Sequence, residues 1–133
     1  MARLFRVILP VTDIDRASRF YRAVLGQAGQ RVSPGRHYFD CEGTILACYD
    51  PVADGDEQGA RPLSEPLYFA VDDLELTRSR ATEAGATLPP TNAPDVGPLG
   101  EIAVRPWGER SFYATDPFGN ALCFVARESV FTG

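Results

Sequence analysis

One short pattern occurs twice in this chain, sixty positions apart (Val11 to Val71). Val11-Thr12-Asp13-Ile14-Asp15 closes an apolar strand and opens a helix that ends at Gly26. Val71-Asp72-Asp73-Leu74-Glu75 repeats the arrangement and runs to Gly85. Each copy finishes in a glycine-led apolar strand: Gly43-Thr44-Ile45-Leu46-Ala47-Cys48 in the first, Gly119-Asn120-Ala121-Leu122-Cys123-Phe124 in the second. An internal repeat constrains the fold more than any single motif, because each copy has to be a supersecondary unit with its own apolar face.

The local patterns fill in each copy. Residues 4–11 alternate, with Val7, Leu9 and Val11 on the face to be buried and Arg6, Ile8 and Pro10 on the other. Thr12 with Asp15 reads as a capping box that starts the first helix. Its inner stripe is Ile14, Ala17, Phe20, Tyr21, Val24 and Leu25, and Gly26 supplies the left-handed cap. Segments 29–33, 36–42 and 44–49 read as strands, the last two joined by a Glu42-Gly43 turn. Residues 50–65 are polar and read as a surface linker in which Asp54, Asp56 and Glu57 form a solvated acidic run.

In the second copy Leu67, Phe69 and Val71 define a strand, and Asp72 with Glu75 caps a weaker helix lined by Leu74, Thr77, Ala81 and Ala84. Residues 86–89 read as a short strand and 90–100, with three prolines and two glycines, as an irregular loop. Segments 101–106 and 109–115 read as extended. Asp116-Pro117-Phe118-Gly119 has type I turn chemistry, and 121–127 is the final strand. The order is βαβββ, linker, βαβββ. One domain of 133 residues is expected, with module one at 1–50, a linker at 51–65 and module two at 66–133.

Composition excludes several functions. A net charge of −5 argues against nucleic acid as a partner, since phosphates call for a basic surface, and is compatible with a cationic ligand. The chain has no apolar run long enough to span a bilayer and opens without a signal-peptide pattern, so a cytoplasmic protein without a membrane partner is expected. Cys41, Cys48 and Cys123 are an odd count at irregular spacing within apolar strands, which fits buried thiols rather than a disulfide framework or a zinc site. His37, the sole histidine, reads as a partly buried strand residue or a ligand contact. Nucleotide-loop and nucleophile-elbow patterns are missing.

The most specific stretches are Val11-Thr12-Asp13…Phe20-Tyr21…Leu25-Gly26 and Phe112-Tyr113-Ala114-Thr115-Asp116-Pro117-Phe118-Gly119-Asn120. They resemble the vicinal oxygen chelate superfamily, which includes glyoxalase I, extradiol dioxygenases and the fosfomycin- and bleomycin-resistance proteins. Pro106-Trp107-Gly108, Arg110, Asp116-Pro117, Gly119-Asn120 and Phe124-Val125-Ala126 are most similar to bleomycin-resistance proteins. The resemblance implies an α+β fold in which paired βαβββ modules form a cupped mixed sheet with helices on the convex face. It also implies a homodimer in many members. Metal-binding members carry a His seven residues before the Asp that opens each helix and a Glu four residues after the turn glycine. The matching positions here are Arg6, Pro66, Ala47 and Cys123. Proline and alanine offer no ligand, arginine stays cationic, and one thiol makes no site. The resemblance therefore points to a metal-free member with no cofactor.

The same positions mark the concave side of the expected cup, since alternate residues of a strand share a face. Its ligand-binding residues are expected to be Arg6, Ile8, Tyr49, Tyr68, Tyr113 and Cys123, with Trp107 either covering the ligand from the rim or pinning its loop to the core. Tyr113 matches a ligand-facing tyrosine of fosfomycin-resistance proteins. Arg6, projecting into the cup, is expected to be buried and to need an acidic partner or an anionic ligand. Such a lining suits a flat organic molecule. The first functional expectation is a metal-free protein that sequesters an aromatic or cationic small molecule, an antibiotic in its sharpest form. The alternative is a metal-independent isomerase or lyase with Arg6 as anion clamp and Tyr113 or Cys123 as acid or base. A regulatory or structural domain is the third.

Overall fold

The computed structural model describes residues 1–132; Gly133, the last residue of the expected second module, lies outside the described residues. The chain divides into two compact units, Met1–Leu63 and Ser64–Gly133. Each is a βαβββ unit built on a four-stranded sheet.

In the first unit β1 (Arg6–Pro10) leads into α1 (Ile14–Leu25), then β2 (Gln30–Ser33), β3 (Arg36–Cys41) and β4 (Thr44–Tyr49). The sheet order is β1-β4-β3-β2, with β1 parallel to β4 and the other pairs antiparallel. A parallel neighbour for the first strand requires a crossover, and α1 provides it, packing on β3 and β4. The alternation in β1 holds in part: Leu9 and Val11 are buried and Arg6 and Ile8 exposed, but Val7 is half-buried and Pro10, expected on the open face, is buried. Phe20, Tyr21 and Phe39 are almost wholly enclosed, with Phe20 edge-on to Tyr21 at 4.8 Å. Burying rings of this size stabilises the unit by roughly 2–3 kcal/mol each.

The second unit repeats the plan with β5 (Leu67–Val71), α2 (Leu74–Glu83), β8 (Ala103–Val104), β9 (Arg110–Thr115) and β10 (Ala121–Ala126) in the order β5-β10-β9-β8. Between α2 and β8 lies a two-stranded hairpin, β6 (Asn92–Ala93) and β7 (Gly97–Pro98). The loop expected at 90–100 thus has order of its own. The strand expected at 86–89 is reduced to one bridge between Thr87 and Thr115. The Asp116-Pro117-Phe118-Gly119 turn forms as read: the Gly119 N–H donates to the Asp116 carbonyl. The buried Asp116 carboxylate also accepts from the Phe118 and Asn120 N–H groups and from Asn120 Nδ2.

Both helix starts differ from the expectation by one residue. The N-caps are Asp13 and Asp73, extended residues whose carboxylates accept from the Arg16 and Leu76 N–H groups. Thr12 and Asp72 precede them. An Asp at the N-cap also places negative charge against the positive helix end. The expected Gly26 cap is confirmed, with φ of 70°.

The acidic stretch after β4 is not simply a solvated run. Asp54 Oδ1 accepts from the Gly35 N–H at 2.7 Å, and Oδ2 accepts from Ser33 Oγ at 2.7 Å. Its side chain is only 18% exposed. These bonds fasten the segment to the β2–β3 turn. Among the described residues no helix is long and apolar enough to cross a membrane.

Candidate functional site

Strand register decides which side chains share a surface, because residues directly opposite across a ladder point the same way. In the first sheet the rows are Arg6–Ile45–Asp40, Ile8–Ala47–Tyr38 and Pro10–Tyr49–Arg36. The expected Arg6, Ile8 and Tyr49 are therefore brought together on one face. The structure adds Arg36 and Tyr38, which sequence reasoning missed. Their two-residue spacing on β3 was the available signal; it needed the β3–β4 register to be read.

These side chains interlock. The Arg6 guanidinium lies 5.3 Å from the Tyr38 ring and 5.3 Å from the Phe5 ring. Arg36 lies over Tyr49 at 4.1 Å and donates to the Tyr38 hydroxyl at 3.2 Å. Arg6 is exposed rather than buried, which corrects the expectation. Stacking on two rings satisfies it without a carboxylate, so no buried-charge penalty arises.

In the second sheet the row is Tyr68–Cys123–Tyr113, so three more expected residues share a face. Tyr68 is well exposed and Cys123 is buried. Burial pushes the Cys123 thiol up to about 11, opposed by hydrogen bonds with Ser111 and Tyr113. Burial also raises Tyr113 well above the ordinary tyrosine range, with Cys123 and Tyr68 adding in the same sense. Both groups are thus protonated at neutral pH. A thiol or phenol in that state makes a poor base or nucleophile.

Beneath Tyr113 lies Arg105, 5.2 Å from its ring and 2% exposed. Its guanidinium donates to Ser111 Oγ and to the carbonyls of Val96, Pro98, Glu101 and Ser111. All five donors of the guanidinium are used, so Arg105 ties the β6–β7 hairpin and its exit to β9. No sequence pattern singled it out, since a buried arginine held by carbonyls leaves no charge partner to look for.

Trp107 sits in the β8–β9 turn, 44% exposed. Its Nε1 donates to Glu109 Oε1 at 2.9 Å, and Glu109 Oε2 accepts from the Phe131 N–H. An indole this exposed does not pin its loop to the core. His37 is buried and points away from the Tyr38 row. It contacts the Ala28 carbonyl at 2.9 Å through Nε2, while Arg31 Nε lies 3.4 Å from Nδ1. Both ring nitrogens thus have partners. A cleft of about 240 Å³ lies beside α2, at Arg78, Pro89 and Gly100, and includes none of the expected site residues.

The positions where relatives carry metal ligands do not fit a divalent ion. Arg6 is a stacked cation, Ala47 and Pro66 offer no donor atom, and Cys123 is a lone thiol. Among the described residues no three His, Cys, Asp or Glu side chains gather closely enough to hold one.

Two βαβββ units, each with a parallel outer strand pair and a crossover helix, define an α+β class of ligand-binding and catalytic domains. The chain belongs to the glyoxalase/bleomycin resistance protein/dioxygenase superfamily, whose family model matches residues 3–124. Solved structures agree at the level of fold. A glyoxalase-related enzyme from Fulvimarina pelagi is 21% identical with a TM-score of 0.74, covering 100% of this chain and 94% of its own. A glyoxalase/bleomycin resistance protein from Albidiferax ferrireducens is 19% identical with a TM-score of 0.72, covering 92% and 97%. A lactoylglutathione lyase from Agrobacterium tumefaciens is 20% identical with a TM-score of 0.65, covering 95% and 94%. A search among curated proteins gave no match.

Proposed function

We propose that this chain is a metal-free small-molecule-binding protein of its superfamily, taking an aromatic ligand against the tyrosine-bearing faces of its sheets. The observation that carries this reading is the replacement chemistry at the four ligand positions. In the first unit Ala47 stands opposite Tyr38 and Arg6 stacks on that ring; in the second unit Cys123 stands between Tyr68 and Tyr113. Aromatic rings on a pleated surface offer stacking area at little entropic cost. Sequestration of an antibiotic is the sharpest form of the reading, supported by the Pro106-Trp107-Gly108 and Asp116-Pro117…Gly119-Asn120 likeness. A side-chain-only isomerase or lyase has less support, because neither Tyr113 nor Cys123 is poised to take a proton at neutral pH.

The test joins elemental analysis with thermal unfolding. Dialysed protein is expected to hold well under one equivalent of zinc, iron, nickel or manganese, and EDTA is expected to leave Tm unchanged. Bleomycin-type glycopeptides and flat aromatic compounds are then screened for a rise in Tm, which reports ligand bound to the native state. One equivalent of metal whose removal lowers Tm would overturn the metal-free reading. Failure of every aromatic compound to shift Tm would overturn the binding reading.

A further inference from the structure

The overall charge of −5 leaves a cationic ligand open, but Arg6 on the first sheet points to an anionic one. We propose that the Arg6–Tyr38–Arg36–Tyr49 face binds a flat aromatic carboxylate, with Arg6 holding the carboxylate and the ring lying over Ile8 and Tyr38. This rests on the reading that the sheet faces take a small aromatic ligand, and it adds the sign of the ligand's charge.

The two arginines differ in what they have left to give. Arg36 is engaged: it stacks on Tyr49, donates to Tyr38, and its Nε lies 3.6 Å from Asp54 Oδ2. On the same side, Tyr49 donates to Asp56 Oδ2 at 3.3 Å. At that end Arg36 is matched by Asp54, with the Asp56 carboxylate held on Tyr49. Arg6, at the other end, stacks on Phe5 and Tyr38 through its ring-facing side, and among the described residues no carboxylate pairs with it. The nearest acidic position in register is Asp40, two strands over, whose Oδ1 already accepts from the Gly43 N–H at 2.7 Å. Arg6 is exposed, and among the described residues no hydrogen bond or ion pair occupies its guanidinium donors.

Such a fork matches a carboxylate in two-point geometry, and stacking fixes it before the ligand arrives. Between the arginines the floor is apolar: Ile8 is 42% exposed and Ala47 is fully covered. A ring lying there would meet Ile8 below and Tyr38 beside it while its carboxylate reached Arg6. A cation in the same place would be repelled by Arg6. Arg36 is a positioning residue in this scheme, holding Tyr38 and Tyr49 at the margin of the floor.

Three probes with one ring system separate the possibilities: 2-naphthoate, the neutral 2-naphthamide, and the cationic 2-(aminomethyl)naphthalene. Affinities are measured on the full chain by titration followed in 1H–15N correlation spectra, which also report where each probe lands. 2-Naphthoate is expected to bind about tenfold tighter than the amide and to shift the Ile8, Tyr38 and Ala47 resonances. Arg6→Gln is expected to remove that preference, so that 2-naphthoate binds no tighter than the amide. Arg6 is exposed, so the variant keeps the fold, which its own spectrum verifies. Equal binding of all three probes, tightest binding of the amine, or an undiminished preference in Arg6→Gln would overturn the carboxylate assignment alone. Failure of all three to bind would overturn the aromatic-binding reading with it.

Discussion

Cys123 shows how one buried atom can be both silent in chemistry and visible in stability. Its thiol is enclosed between Tyr68 and Tyr113 on β10, and burial holds the proton on it up to about 11, against an ordinary value of 9.0. In the unfolded chain the same thiol ionises near its ordinary value. Between about pH 9 and about pH 11 the native state therefore binds more protons than the unfolded state, and stability falls as pH rises. A shift of two units corresponds to roughly 2–3 kcal/mol. The contribution is fully present below about pH 9 and is lost as pH climbs through about 11. Cys41 is also raised, chiefly by burial, so the wild-type profile alone does not isolate Cys123. Cys123→Ala does. Urea unfolding across this range is expected to show the wild type losing roughly 2 kcal/mol more than the alanine variant. Parallel profiles for the two proteins would mean that the thiol ionises as readily folded as unfolded.

The helix starts carry a prediction at the scale of elements. Asp13 and Asp73 satisfy an N–H of the first turn, whereas Thr12 and Asp72 stand one residue outside. Asp13→Ala and Asp73→Ala are each expected to cost about 1 kcal/mol by urea unfolding. Thr12→Ala is expected to stay within about 0.5 kcal/mol. Asp72 makes an exposed pair with Arg127, so its alanine variant is expected to lose little. Equal costs at positions 12 and 13 would return the cap to Thr12. The one-residue displacement shows what was legible. Periodicity placed both helices and the four strands of the first unit within a residue or two, because a buried stripe has a fixed repeat. Cap identity rests on which of two adjacent oxygen-bearing residues turns extended, and composition does not choose between them. The β6–β7 hairpin was hidden for a similar reason. Its order comes from Arg105, a residue beyond the hairpin whose donors collect the loop's carbonyls and which has no sequence pattern to mark it.

At the scale of the whole molecule the internal repeat was the strongest signal, since two copies of one supersecondary pattern leave few architectures. The site was only half legible. Alternation assigned Arg6, Ile8, Tyr49, Tyr68, Tyr113 and Cys123 to sheet faces, but Arg36 and Tyr38 needed the cross-strand register. The repeat also frames the question of assembly. Each sheet has one blunted outer strand: β2 carries a register shift between Arg31 and Ser33, and β8 has only two residues. Irregular and short edges resist further pairing. The opposite end strands, β1 and β5, are regular and five residues long, and Leu4 and Phe5 just before β1 are exposed. We propose a second copy of the chain as the partner that uses these surfaces. Five residues of edge pairing alone fall short of the roughly 800 Å² per partner typical of a stable interface, so the exposed apolar side chains must contribute. Light scattering at micromolar concentration is expected to give the mass of two chains. Ionic strength should matter little to it, because apolar contact and backbone pairing are weakly screened. The mass of a single chain across the accessible concentration range would remove the dimer, leaving β1 and β5 as edges of a monomer.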